Sequence, residues 1–116
     1  MAIEVRSHDR VTIIDIVGRF DSLTAPAMKS EMAGLIEQGK RRLVINLSKL
    51  DFIDSAGLGA LVACLRRAVE CGGELRLADV PAICRSIFEL TRMDRVFDIS
   101  QSEAAAVESL AEKEPG

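Results

Sequence analysis

The sequence predicts a single α/β domain with a mostly parallel central sheet, an antiparallel hairpin at its N-terminus and about four helices. Three observations carry this. After two opening β-rich segments, short apolar runs alternate with segments of helical period, in the order ββαβαβαβα. The chain has 116 residues, 48% of them hydrophobic and 28% charged, which fits one core and leaves no room for a second. No internal repeat or low-complexity linker interrupts the order, so residues 1–112 are expected to form the domain and 113–116 a frayed tail.

Ala2 to Arg6 alternates with Ile3 and Val5 on one face, Ser7 to Arg10 reads as a turn, and Val11 to Val17 is apolar and β-branched. Together they predict the hairpin. Gly18 to Ser22 reads as a connection to a helix opened by Thr24 and Pro26, with Met28, Met32, Leu35 and Ile36 at helical spacing and a stop at Gly39. Leu43 to Leu47 is nearly continuously apolar, as a central strand covered on both faces should be. Ser48 to Asp54 is read as a loop. From Ala56 a helix places Leu58, Leu61, Val62, Leu65, Ala68 and Val69 on one face, with Arg66, Arg67 and Glu70 opposite, and Gly72-Gly73 ends it.

Glu74 to Ala78 is another short strand. Asp79 and Pro81 then signal a helix carrying Ile83, Ile87 and Leu90 as its apolar positions. Val96 to Ile99 fits a last strand, and Ser100 with Glu103 matches a capping box ahead of Ala104, Val107, Leu110 and Ala111. Right-handed crossovers between the later strands make most of the sheet parallel.

Composition excludes several classes of function. No stretch approaches the roughly 20 apolar residues of a membrane span, and a secretory signal pattern is missing, so a cytoplasmic location without membrane insertion is expected. A formal net charge of −3 opposes nucleic-acid binding, and Lys40-Arg41-Arg42 and Arg66-Arg67 are too short to reverse it. Cys64, Cys71 and Cys84 are odd in number and lack metal or dithiol spacing, which makes them core or boundary residues.

The segment with chemical potential is Asp51 to Gly59, which joins a central strand to a helix N-terminus with acids, a hydroxyl and small residues. Phe52 and Ile53 are expected to anchor it, with Ser55 as a candidate N-cap. Gly57 and Gly59, beside Ala56 and Ala60, leave the first turns of the helix bare although glycine costs a helix roughly 1 kcal/mol relative to alanine. Close approach by a partner would explain that. Enzymatic readings fail on missing groups: the only histidine, His8, lies in the hairpin turn, no G-x-S-x-G elbow is present, and Gly59 is followed by Ala60 and Leu61 where a phosphate loop needs lysine. A phospho-acceptor role for Asp54 would need clustered acids for Mg²⁺, whereas Asp15 sits within a strand and Asp21 stands alone in a loop. Neither a metal nor another cofactor is implied.

Asp54-Ser55-Ala56-Gly57-Leu58-Gly59, after Leu47-Ser48 and Phe52-Ile53, resembles the D-S-[SA]-G-L-G segment of the anti-sigma factor antagonists, whose fold is that of the STAS domain. Gly18-Arg19-Phe20-Asp21, Thr24-Ala25 and Gly72-Gly73-Glu74 are similar in order and spacing, so the resemblance spans nearly the whole chain. It implies a STAS-like fold and a regulatory binding module that is a substrate and not an enzyme. In that family the unphosphorylated antagonist binds a partner that is both serine kinase and anti-sigma factor, releasing sigma factor; phosphorylation of the motif serine ends binding, and a phosphoserine phosphatase reverses it. The match assigns that serine to Ser55 and the switch surface to Asp21, Asp54, Ser55, Ala56, Gly57, Leu58 and Gly59. Ala56 stands where a second serine is common. A dianion beside Asp54 and Asp21, among small residues that offer no cation, would oppose docking while the helix N-terminus tolerates it. A STAS scaffold in another signalling or lipid-transport assembly, and a small nucleotide-binding or nucleotide-hydrolysing protein, are the competing readings.

Overall fold

The computed structural model describes residues 2–111. Asp9 and Arg10 both adopt positive φ, 50° and 67°, the two-residue turn whose twist matches that of a hairpin. It joins β1 (Ala2–His8) to β2 (Val11–Phe20) in antiparallel register, with His8 opposite Val11 and Ile3 opposite Ile16. The first strand therefore runs two residues past Arg6, the boundary expected from alternation alone.

The second strand is ten residues long and changes partner midway. Thr12 to Asp15 pair in parallel with β3 (Arg42–Asn46), and after an irregularity between Gly18 and Arg19 the end of the strand pairs with β4 (Leu50–Ile53). The fourth strand corrects the reading of Ser48 to Asp54 as loop. With β5 (Glu74–Ala78) and β6 (Asp98–Ser100), the sheet order is β1-β2-β3-β5-β6, with β4 on β2 alone. Every pairing except the hairpin is parallel.

Four helices cover the sheet: α1 (Ala25–Glu37), α2 (Ser55–Glu70), α3 (Ala82–Leu90) and α4 (Glu103–Ala111). The core divides accordingly. Ile14, Ile16, Leu43, Ile45, Leu75 and Leu77 meet the first three helices on one face, while Val11, Ile13, Val44 and Ala78 meet Ala106, Val107 and Leu110 of α4 on the other. Strand side chains alternate between the faces, so a central sheet covered on both sides is apolar at nearly every position.

Three expectations are corrected in detail. The α2 face contains Gly57, Ala60, Leu61, Cys64 and Ala68; Leu58, Val62 and Leu65 flank it half-buried, and Val69 is exposed. Small residues occupy the centre of that face and bring the helix close to its neighbours. On α3 the inward residues are Cys84 and Phe88, whose ring lies 6.1 Å from that of Phe97, while Ile83 and Leu90 are exposed. Ser102, not Ser100, caps α4: its hydroxyl oxygen accepts the Ala105 N–H at 3.1 Å, and Glu103 becomes the first helical residue. The expected tail at 113–116 lies outside the described residues.

The α4 side also contains a polar network. Arg6 meets both carboxylate oxygens of buried Asp15, at 2.8 and 2.9 Å, and also pairs with Glu103. The Asn46 amide donates to Glu103 and Asp79, at 2.8 and 3.1 Å, and its oxygen accepts the Ser48 N–H at 2.8 Å. Two strands, the β3–β4 connection, the turn after β5 and α4 are thereby tied to β1.

Candidate functional site

The fourth strand delivers the chain to α2. Leu50 and Ile53 are buried, Asp51 is exposed, and Phe52 is half-buried, so only the ends of this strand anchor in the core. The Asp54 N–H then donates to the Phe20 carbonyl at 3.3 Å, extending the pairing of β4 with β2 by one residue. Asp54 keeps extended backbone angles, φ −116° and ψ −171°, and its Oδ1 accepts the Gly57 N–H at 3.0 Å. Asp54 is thus the N-cap.

That geometry corrects the expectation for Ser55. It is the first helical residue, exposed, and its hydroxyl makes no hydrogen bond among the described residues. Both Asp and Ser make good caps, and adjacent in sequence they cannot be ranked by type; the extended exit from the strand selects the first. The cap is made by a carboxylate, which leaves the serine hydroxyl free in solvent.

The two motif glycines have different roles. A Cβ on Gly57 would lie 2.3 Å from the Phe20 carbonyl oxygen and 3.0 Å from Ile53 Cγ1, so this glycine exists to let α2 approach the protein's own backbone. A Cβ on Gly59 would meet nothing within 4 Å. Only the second leaves bare exposed surface. Ala56 and Leu58 are half-buried, Leu58 against the core.

Asp21 reaches the same end of the molecule because it follows Phe20, whose carbonyl holds Asp54. Its Oδ1 accepts the Leu23 N–H at 3.0 Å and the Thr24 hydroxyl at 3.2 Å, forming a turn ahead of α1. Desolvation pushes the Asp21 carboxyl up, but hydrogen bonds from Leu23, Thr24 and Arg19 outweigh it and hold it below its ordinary value. It is a carboxylate at neutral pH.

One residue of this end escaped sequence reading. Arg19 stands opposite Phe52 in the β2–β4 register, its guanidinium carbon 4.0 Å from the ring centroid and its Nε 3.5 Å from Asp21 Oδ2. The expectation of a site without a nearby cation is corrected on this point. The signal was the alternation Arg19-Phe20-Asp21, which places the two charges on one side of a strand whose Phe20 points inward. His8, expected in the hairpin turn, is instead the last residue of β1, opposite Val11 and so away from this end, with Nε2 3.2 Å from Asp9 Oδ2. A cleft of about 580 Å³ between the hairpin and α4, bordered by Arg6, His8, Glu103 and Glu108, contains none of the motif residues. What gathers at the start of α2 is an exposed hydroxyl with two carboxylates, one arginine and a bare glycine.

Known proteins resemble this chain over most of its length. The anti-sigma-B factor antagonist of Bacillus subtilis is 27% identical over 106 residues, covering 91% of this chain and 96% of its own. The crystal structure of an anti-sigma factor antagonist from Mycobacterium paratuberculosis superimposes with a TM-score of 0.84 at 25% identity, covering 94% of this chain and 92% of that one. The fold is shared with the anti-sigma factor antagonist SpoIIAA from Bacillus, at a TM-score of 0.74 and 18% identity for its unphosphorylated form, over 97% of this chain and all of that one; SpoIIAA has also been solved phosphorylated. The family model for the STAS domain matches residues 2–106, and the chain belongs to that family.

Proposed function

We propose that this protein is an anti-sigma factor antagonist: unphosphorylated, it binds a cytoplasmic anti-sigma factor that is also a serine kinase, frees sigma factor, and is released when that kinase phosphorylates Ser55. A phosphoserine phosphatase resets it. The protein is then a binding module and a substrate, with Asp21, Asp54, Ser55, Ala56, Gly57, Leu58 and Gly59 as its switch surface. One observation carries the reading: the motif hydroxyl is exposed and unbonded while its neighbour Asp54 caps the helix.

A phosphate at Ser55 adds about −1.5 to −2 charges at pH 7 at a helix N-terminus, where the helix dipole and free N–H groups favour anions. Because the hydroxyl takes no part in the cap, the modification breaks no native hydrogen bond and the domain stays folded. A docked partner would have to desolvate that charge beside Asp54 and Asp21, with the nearby cation Arg19 already engaged by Asp21 and Phe52. Two like charges 4 Å apart repel by roughly 4 kcal/mol at an effective dielectric of 20, so even half of that weakens binding more than about tenfold.

Titration of the purified kinase partner with wild type, Ser55→Asp and enzymatically phosphorylated protein tests this, with circular dichroism on each sample. Expected are a folded spectrum for all three and affinity falling in that order. Equal affinities would remove the switch.

A further inference from the structure

Away from Ser55, the α1–α2 seam opens into a cleft of about 130 Å³ lined by Lys29 and Met32 of the first helix and Ala63, Cys64 and Arg67 of the second. Its floor is apolar and its rim carries two cations. Neither Lys29 nor Arg67 pairs with a carboxylate among the described residues, in a chain whose net charge is −3. The cleft supplies no anion of its own: burial pushes the Cys64 thiol up to about 11, outweighing the opposite pull of Lys29 and Arg67, so it stays neutral.

We infer that this seam is a docking groove that seats one acidic side chain of the protein partner, its methylenes on Ala63 and the aliphatic stems of Lys29 and Arg67 above buried Met32, and its carboxylate between the two charged ends. Size selects the class of occupant. Small-molecule sites occupy about 300–1,000 Å³, and this cleft has room for a single side chain. Charge selects the chemistry, since two unpaired cations over an apolar floor complement a carboxylate on a short aliphatic stem. Position selects the partner. Ala63 follows Ser55 by eight residues, about 12 Å along the same helix, and a standard interface of about 800 Å² per side is wide enough to cover both.

This inference rests on the proposed function and assigns its partner a second anchor, one that does not depend on the state of Ser55. The groove then supplies affinity and orientation, and the serine supplies control.

The test titrates the purified serine-kinase anti-sigma factor with wild type, the double variant Lys29→Glu/Arg67→Glu, Ala63→Phe and Ser55→Asp, each checked for folding by circular dichroism. Ala63→Leu serves where the phenylalanine disturbs the seam. The double variant should bind at least about tenfold more weakly. Filling the groove at position 63 should also weaken binding several-fold while leaving the charges in place. Wild-type affinity in the double variant would overturn the groove and leave the serine switch standing, which the Ser55→Asp arm reads separately. A weak double variant beside unaffected Ala63→Phe and Ala63→Leu would also overturn it, since the cations would then act at a distance and seat nothing.

Discussion

On the α4 side of the sheet, Arg6, Asp15, Asn46 and Glu103 join three strands and a helix through their side chains, whereas the start of α2 is held by backbone groups, the local cap of Asp54 and the absence of a side chain at Gly57. Both regions are rich in acids. In the first, every carboxylate meets a cation or an amide, and removing one partner strands the others. In the second, Asp54 and Asp21 bind mainly their own local N–H groups, and the fit of helix to strand depends on Gly57. The contrast bears on the proposed switch: Ser55, the group that phosphorylation would change, is not among the groups that hold the fold there.

The largest effect should come from breaking the side-chain network. Arg6→Met leaves Asp15, 4% exposed, without its cation, and breaking such a pair costs about 3 kcal/mol, the lower end for buried pairs because Arg6 itself is half in solvent. Chemical denaturation measures it, and a loss below about 1 kcal/mol would make the network no more than a surface pair. The same network sets an acid dependence. Hydrogen bonds from Arg6, opposed by desolvation and joined by Asn46, hold the Glu103 carboxyl below its ordinary value. With the folded pKa depressed, its stabilisation is complete above the unfolded value of about 4.3 and disappears as pH falls through the folded one. Denaturation midpoints should therefore drop more steeply on acidification in wild type than in Glu103→Gln.

Next in size is Gly57→Ala. Helix propensity alone would favour the substitution by about 1 kcal/mol, but the added carbon collides with the backbone oxygen of Phe20, which has no flexible end to move aside. Overpacking of this kind costs about 1–3 kcal/mol, so a net loss of up to about 2 kcal/mol is expected, again by denaturation. A stabilised Gly57→Ala would show that the close approach does not hold this end together.

The elements most legible in the sequence were those whose signal is local. The opening hairpin, though its turn reads as Ser7 to Arg10 and is Asp9-Arg10 alone, Pro26 near the start of α1 and the continuous apolar run of β3 each specify their own conformation. The fourth strand was hidden because Leu50–Ile53 is four residues long and owes its existence to the bent end of β2, more than thirty residues earlier. The α3 face was misread for a related reason: Ile83 and Leu90 have the hydropathy of core residues, yet Cys84 and Phe88 are the ones the sheet and Phe97 enclose. At the proposed site, the motif marked the start of α2, and only backbone geometry could move the cap from Ser55 to Asp54. The bare glycines divided in the same way, since sequence cannot distinguish a glycine that faces a carbonyl from one that faces solvent.

That division gives the smallest and most discriminating prediction. Gly59 lies in the second turn of α2 with open space where a side chain would be, so Gly59→Ala removes the conformational penalty of glycine at no steric cost. It should stabilise the free protein by about 0.5–1 kcal/mol, the opposite sign to Gly57→Ala two residues earlier. If the bare surface exists for a partner to approach, the same methyl group should weaken the complex, so that stability and affinity move in opposite directions in one variant. Denaturation and titration of a single preparation read both. A gain in stability with unchanged affinity would place Gly59 outside the interface and confine the switch to Ser55 and its carboxylates. A loss of stability would mean that this glycine, like its neighbour, belongs to the packing of the helix.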